Sequence, residues 1–217
     1  MGKINTMIGF MKKILLFSFF VWSAFACAPA WCGETIVLFR HAEKPAAGLG
    51  QLSCQGLRRA LALPDVLIPK YGRPLELFAP NPSEQKLDRG ILYAYIRPLA
   101  TIEPTAIRLE MPVNLSYSIN NYSPLVGYLL GTGMENSTFF VAWEHHQIDA
   151  IAKLLIEPFD KELAQTVKHW QGDDFDSIYR ITLEGKGDTR KVSFAVDQQK
   201  MSNLLTTCPG AKVNDAL

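Results

Sequence analysis

Residues 35–44, TIVLFRHAEK, constrain the fold more than any other part of the chain. Ile36 to Phe39 is an unbroken apolar run, as expected of a strand buried on both faces of a parallel sheet. It passes directly into Arg40, His41, Glu43 and Lys44. In an open α/β sheet, ligands bind beyond the C-terminal ends of strands, so these ionisable residues stand where a site forms. A second β-branched and aromatic run, residues 138–143, ends in Glu144, His145 and His146.

The segments between and after these runs fit an α/β chain. Residues 45–50 read as a loop over the strand end. Ser53 caps a predicted helix that runs to about Pro64, with Arg58 and Arg59 facing outward. Residues 75–79 form a second expected parallel strand. The apolar positions Leu87, Ile91, Leu92 and Tyr95 give weak helical spacing over residues 83–96. Arg97-Pro98 starts a helix, since proline is tolerated in the first turn, and Pro104 is expected to interrupt it. A short strand is predicted within 107–113, and helices from Ser123-Pro124 to Leu130 and over 148–155. Residues 177–183 and 191–196 flank a turn-rich connector and read as a hairpin. The fold class expected is therefore α/β, a three-layer α/β/α sandwich with a mostly parallel central sheet.

The N-terminus follows a different pattern. Lys12 and Lys13 precede an apolar run from Ile14, which leads to small residues around Ala24, Ala26, Ala28 and Ala30. That is the layout of a secretory signal peptide, too short for a membrane span, and Met11 is an alternative start. The expected organisation is a signal peptide over 1–30 and one domain over 31–217, located in the periplasm or secreted. The 22 Lys+Arg less Lys3, Lys12 and Lys13 leave 19 against 21 Asp+Glu, a near balance that argues against bulk binding of nucleic acid or an anionic membrane. Beyond residue 30 the cysteines are Cys32, Cys54 and Cys208. An oxidising compartment favours a disulfide, with Cys54 to Cys208 one of the pairings open. No cysteine pair has zinc or thioredoxin spacing.

Two strands ending in Arg-His and Glu-His-His suit phosphoryl transfer. A phosphomonoester carries about two negative charges and needs cations on its equatorial oxygens, with a nucleophile in line with the leaving oxygen. Neutral His41 is the candidate nucleophile, because an imidazole attacking phosphorus divides one displacement into two easier ones. Arg40 offers the planar fork that lysine lacks. His145 ends the later strand at the same crevice, His146 is a candidate contact at its edge, and Lys44 adds positive potential at its mouth. His169 reads as a surface residue. The histidines show no His-x-x-x-His spacing and no obvious third ligand, so neither a metal nor an organic cofactor is expected.

These residues resemble the histidine phosphatase superfamily, also called the phosphoglycerate-mutase-like or histidine acid phosphatase fold. The resemblance covers about residues 35–155. It rests on Leu38-Phe-Arg40-His41-Ala-Glu43-Lys44, on Leu52-Ser53-Cys54-Gln55-Gly56 as a Leu-Ser-x-x-Gly helix start, on Arg97-Pro-Leu-Ala-Thr101, and on the strand ending at Glu144-His145. The resemblance implies a phosphohistidine on His41 and a phosphate held by Arg40, Arg97 and His145. Its substrate would be a small phosphorylated molecule or a phosphoprotein. The sequence departs from the family pattern in two places. Fourteen residues separate Pro82 from Arg97, which leaves Arg89 as an alternative second arginine. Where acid phosphatases of the family carry His-Asp, this chain has His145-His146, so the general acid falls among Glu144, Glu110, Glu103 and Glu135. The alternative function is a catalytically weak envelope protein that binds a phosphorylated or anionic ligand.

Overall fold

The computed structural model describes residues 33–131, 135–186 and 189–210. The expected signal peptide lies outside them. Among the described residues, no helix is long and apolar enough to cross a membrane.

The first strand, β1 (Gly33–Arg40), is buried along its whole length, as its apolar run requires. Its side chains alternate between two cores. Ile36 and Leu38 enter a cluster with Phe139, Val141 and Trp143 of β6 (Thr138–Trp143), Leu125 and Leu129 of α4 (Ser123–Leu129), and Ile148, Ile151 and Leu155 of α5 (His145–Ile156). Val37 and Phe39 point the other way. They meet Leu67 of α2 (Pro64–Tyr71) and Ile102, Ala106 and Leu109 of α3 (Arg97–Leu109). One sheet with helices on both faces is the expected three-layer sandwich.

The sheet has six strands in the order β5-β2-β6-β1-β7-β8. Here β2 is Glu76–Phe78, β5 is Val113–Asn114, β7 is Ser177–Glu184 and β8 is Lys191–Gln198. The pairs β5–β2, β2–β6 and β6–β1 are parallel, and β1–β7 and β7–β8 are antiparallel. The C-terminal hairpin of the sequence reading is thus the antiparallel end of a mostly parallel sheet. Helix α6 (Lys161–Thr166) leads into the loop before β7.

Four local expectations change. Residues 85–94 form a two-stranded hairpin, β3 (Gln85–Asp88) and β4 (Ile91–Ala94), rather than a helix. Arg89 and Gly90 join the strands with φ values of 52° and 87°, the positive-φ turn whose twist matches paired strands. Helix α3 runs straight through Pro104, and the strand expected within 107–113 shrinks to β5 at its end. The proline costs the helix about 3 kcal/mol. Burial of Ile102, Ala106 and Leu109 offsets that cost. Finally, Arg59 of α1 (Cys54–Ala62) turns inward and is buried. Its guanidinium takes both oxygens of Glu43, Asp176 Oδ1, Gln199 Oε1 and the Met201 carbonyl, so the loop after β1 is clamped to the C-terminal segment.

Ser53 caps α1 as expected, its Oγ accepting from the Gly56 amide. Cys54 is bonded to Cys208.

Candidate active site

Parallel register brings the two motif-bearing strand ends together. Arg40 pairs with Trp143, and the ladder extends one step further as the His41 amide donates to the Trp143 carbonyl at 2.9 Å. Adjacent strands lie about 4.8 Å apart, so His41 emerges beside Glu144 and one residue short of His145. The loop beyond His41 is fixed from α3, because the Ala42 amide donates to Thr101 Oγ1, which itself donates to the Arg97 carbonyl.

His41 is almost fully buried, and its Nδ1 lies 2.8 Å from the Ala42 carbonyl. A carbonyl only accepts, so Nδ1 carries the ring proton and Nε2 keeps its lone pair. Burial pushes the imidazole pKa well below its usual value. The Ala42 hydrogen bond works against that shift, and Arg40 and Arg97 reinforce it. The ring is therefore neutral and nucleophilic at neutral pH.

Arg40 sits with its guanidinium 3.9 Å from the centre of the Phe175 ring, and its Nη1 donates to the carbonyls of Gly172 and Asp174. Burial lowers its pKa to about 10, which leaves it charged. Arg97, buried at the first turn of α3, faces the Tyr95 ring at 4.9 Å and donates from Nη1 to Asp88. The Nε of each arginine is buried without an acceptor. Tyr95 also stands edge-on to His41, with ring centroids 6.0 Å apart. Arg97 thus faces the His41 neighbourhood, whereas Arg89 is exposed in the hairpin turn.

Lys44 does not stand free at the mouth, since its Nζ lies 2.9 Å from Asp88 Oδ1. Burial alone would raise the Asp88 pKa, but Lys44 and Arg97 together hold it at about 2. His145 is tied to the site through Gly172. A Cβ added there would lie 3.7 Å from His145 Nε2, and the same residue's carbonyl accepts from Arg40.

Of the carboxylates considered as acid, Glu144 is buried at the site. Its Oε1 is 2.8 Å from His145 Nδ1 and its Oε2 is 3.0 Å from Lys86 Nζ. Burial pushes its pKa up, but His145 and Lys86 outweigh that and leave it at about 2, so it is ionised and has no proton to give. Glu110 caps the far end of α3, thirteen residues beyond Arg97, and is exposed, as is Glu103. Glu135 interacts with Glu34 near the N-terminal end of β1, the opposite end from His41. Glu110, Glu103 and Glu135 are withdrawn as acids on these positions.

Continued strand geometry would turn His146 away from His145, whereas a helix start brings the two side chains to neighbouring positions. Helix α5 does begin at His145, and the two rings are 3.8 Å apart, centre to centre. His146 is 61% exposed and lies at the outer edge of the cluster, near His169, which is also exposed and pairs with Asp149. Glu144, His145 and His146 each offer a ligand atom within 4.8 Å of the others. Among the described residues these three side chains form a grouping that could hold a metal ion.

The sequence reading missed the walls of the site. Asp88 and Lys86 come from the misread hairpin, and Gly172, Asp174 and Phe175 from the loop before β7. The Asp-Arg-Gly turn of residues 88–90 was the available signal for the hairpin.

The sequence matches no family model and no curated protein. Solved structures do resemble this one. The protein histidine phosphatase SixA complexed with tungstate has a TM-score of 0.50 and 12% identity, covering 76% of this chain and 97% of that one. A SixA protein from Nakamurella multipartitia gives 0.48 and 15%, covering 76% and 95%. A mycobacterial glucosyl-3-phosphoglycerate phosphatase in complex with inorganic phosphate gives 0.46 and 14%, covering 74% and 95%. The chain has the histidine phosphatase fold.

Proposed function

We propose that the protein is an exported phosphatase that hydrolyses phosphomonoesters through a phosphohistidine on His41. The observation that carries this reading is the state of that imidazole, which is buried, neutral and proton-bearing on Nδ1 beside two charged arginines. In the first step the Nε2 lone pair forms a bond to phosphorus, the phosphorus–oxygen bond to the leaving group breaks, and the departing oxygen keeps that electron pair. Arg40, Arg97 and His145 offset charge on the equatorial oxygens. In the second step water attacks phosphorus, the phosphorus–nitrogen bond breaks, and phosphate and free His41 result. The substrate would be a small phosphorylated molecule or a phosphoprotein. The Cys54–Cys208 bond supports a periplasmic or secreted location, where disulfides persist.

Asp88 and Glu144 are both ionised, so neither supplies a proton to the leaving oxygen. Missing acid catalysis costs about 10²–10⁴-fold for a poor leaving group and little for a good one. We therefore expect aryl phosphates and phosphoramidates to turn over well and alkyl phosphates poorly. The same observation favours the alternative, a weakly catalytic envelope protein that binds an anionic ligand.

The deciding experiment is hydrolysis of an aryl phosphate by purified protein, with acid-labile phosphate trapped on the chain, compared with His41→Ala. Turnover and trapping lost together in the variant support the phosphatase. Phosphate binding without turnover in the wild type selects the binding protein.

A further inference from the structure

We propose that Glu144, His145 and His146 form a binding site for a divalent borderline cation of the zinc class at the rim of the phosphate site. The three ligand atoms lie within 4.8 Å of one another. Glu144 Oε1 is 2.8 Å from His145 Nδ1 and 4.0 Å from His146 Nε2. Two donors on a tetrahedral zinc, each about 2.1 Å from the metal, lie about 3.4 Å apart. The two separations bracket that value, so small rotations of exposed His146 would complete the set.

Two further features favour a metal over a closed hydrogen-bond network. First, buried His145 Nδ1 has Glu144 Oε1 as its neighbour at 2.8 Å, and His146 Nε2 stands 4.0 Å from the same oxygen, so three donor atoms gather about one point. Second, Lys86 engages Glu144 Oε2 and leaves Oε1 to face the imidazoles. Imidazole nitrogen with one carboxylate oxygen is a donor set that suits zinc, and three protein ligands leave one position open. His169, with its ring 6.0 Å from that of His146, lies on the outer side of the cluster.

The consequence for catalysis rests on the phosphatase reading, whereas the binding does not. A metal on Nδ1 leaves the His145 proton on Nε2, the nitrogen on the side of Gly172, whose carbonyl accepts from Arg40. The loaded ring would then present that N–H as a donor on this side.

The test is calorimetric titration of the metal-free protein with zinc chloride, alongside the visible absorption of cobalt(II) bound in its place. One equivalent should bind, and the cobalt spectrum should be that of a low-coordinate nitrogen–oxygen site. His146→Ala, at an exposed position, should weaken zinc binding by about ten-fold or more. No binding in the wild type, or unchanged affinity in His146→Ala, overturns the site. Aryl phosphate turnover should persist with one equivalent of zinc. Zinc that abolishes turnover in the wild type but not in His146→Ala would put the metal on Nε2 and overturn the ligand assignment. A protein with no turnover under any condition removes the phosphatase reading, and the calorimetry alone then decides the metal site.

Discussion

A single hydrogen bond sets the chemistry available to His41. Because Nδ1 donates to the Ala42 carbonyl, Nε2 is the nitrogen that keeps its lone pair, and burial keeps the ring unprotonated. The folded-state pKa is depressed below the 6.5 of a free imidazole, so the unfolded chain binds a proton that the folded one refuses. The stability this provides is complete above about pH 6.5 and is lost as pH falls toward the folded value. His41→Gln should therefore lose less thermal stability than the wild type between pH 7.5 and 5.5, as differential scanning fluorimetry would register. In catalysis the acid limb of kcat/KM for an aryl phosphate should lie well below pH 6.5. A limb near 6.5 would mean that the ring is solvated and the nucleophile assignment is wrong. Arg97 makes a different contribution, since its planar fork reaches Asp88 from Nη1 while Nε is buried without an acceptor. Arg97→Lys keeps the charge and loses the fork, and should cost about 10²-fold in kcat/KM, with circular dichroism unchanged.

At the scale of elements, the site was legible where one strand carried both its own period and its own chemistry. In β1 and β6 the apolar runs declare burial and the ionisable residues after them declare a crevice, so the positions of Arg40, His41, Glu144 and His145 at adjacent strand ends could be read without coordinates. The hairpin β3–β4 was not legible, because Leu87, Ile91, Leu92 and Tyr95 recur at an interval that also fits a helix. Three of them prove to be exposed on a small two-stranded sheet. The wall formed by Gly172, Asp174 and Phe175 was hidden for another reason: it reaches Arg40 only because β7 lies antiparallel beside β1, a pairing no local pattern encodes. The start of α1 gives an element-scale prediction. A Cβ on Gly56 would collide with the backbone carbonyl oxygen of Glu43, two residues from His41, rather than with a side chain that could swing aside. Gly56→Ala should destabilise the protein by about 1–3 kcal/mol, lowering Tm by about 2–4 °C per kcal/mol. Gly127 in α4 meets nothing within 4 Å, so Gly127→Ala should instead raise Tm by a degree or more. Equal effects from the two substitutions would show that the close approach at Glu43 is not enforced.

Across the whole molecule, the C-terminal segment is held to α1 by hydrogen bonds from two arginines and by a disulfide. Arg59 binds the Met201 carbonyl and Gln199, Arg58 donates to the carbonyls of Thr207 and Cys208, and Cys54 is bonded to Cys208. The disulfide closes a sequence separation of 154 residues, for which the chain-entropy estimate is about 5 kcal/mol. Native-state relaxation and residual structure in the unfolded chain commonly reduce such a gain, so removal should cost about 2–5 kcal/mol. At about 2–4 °C per kcal/mol this is a drop in Tm of about 4–20 °C for the Cys54→Ser/Cys208→Ser variant. Because Cys54 opens the helix that carries Gly56 and Arg59, and Arg59 grips Glu43, loosening this end should reach the His41 loop before the sheet unfolds. The double variant should then lose aryl phosphatase activity at temperatures several degrees below its own melting transition. The wild type should keep its activity up to the foot of its own transition. A variant that melts and loses activity together with the wild type would mean that the Arg58 and Arg59 contacts already secure the C-terminal segment and that the covalent link adds nothing.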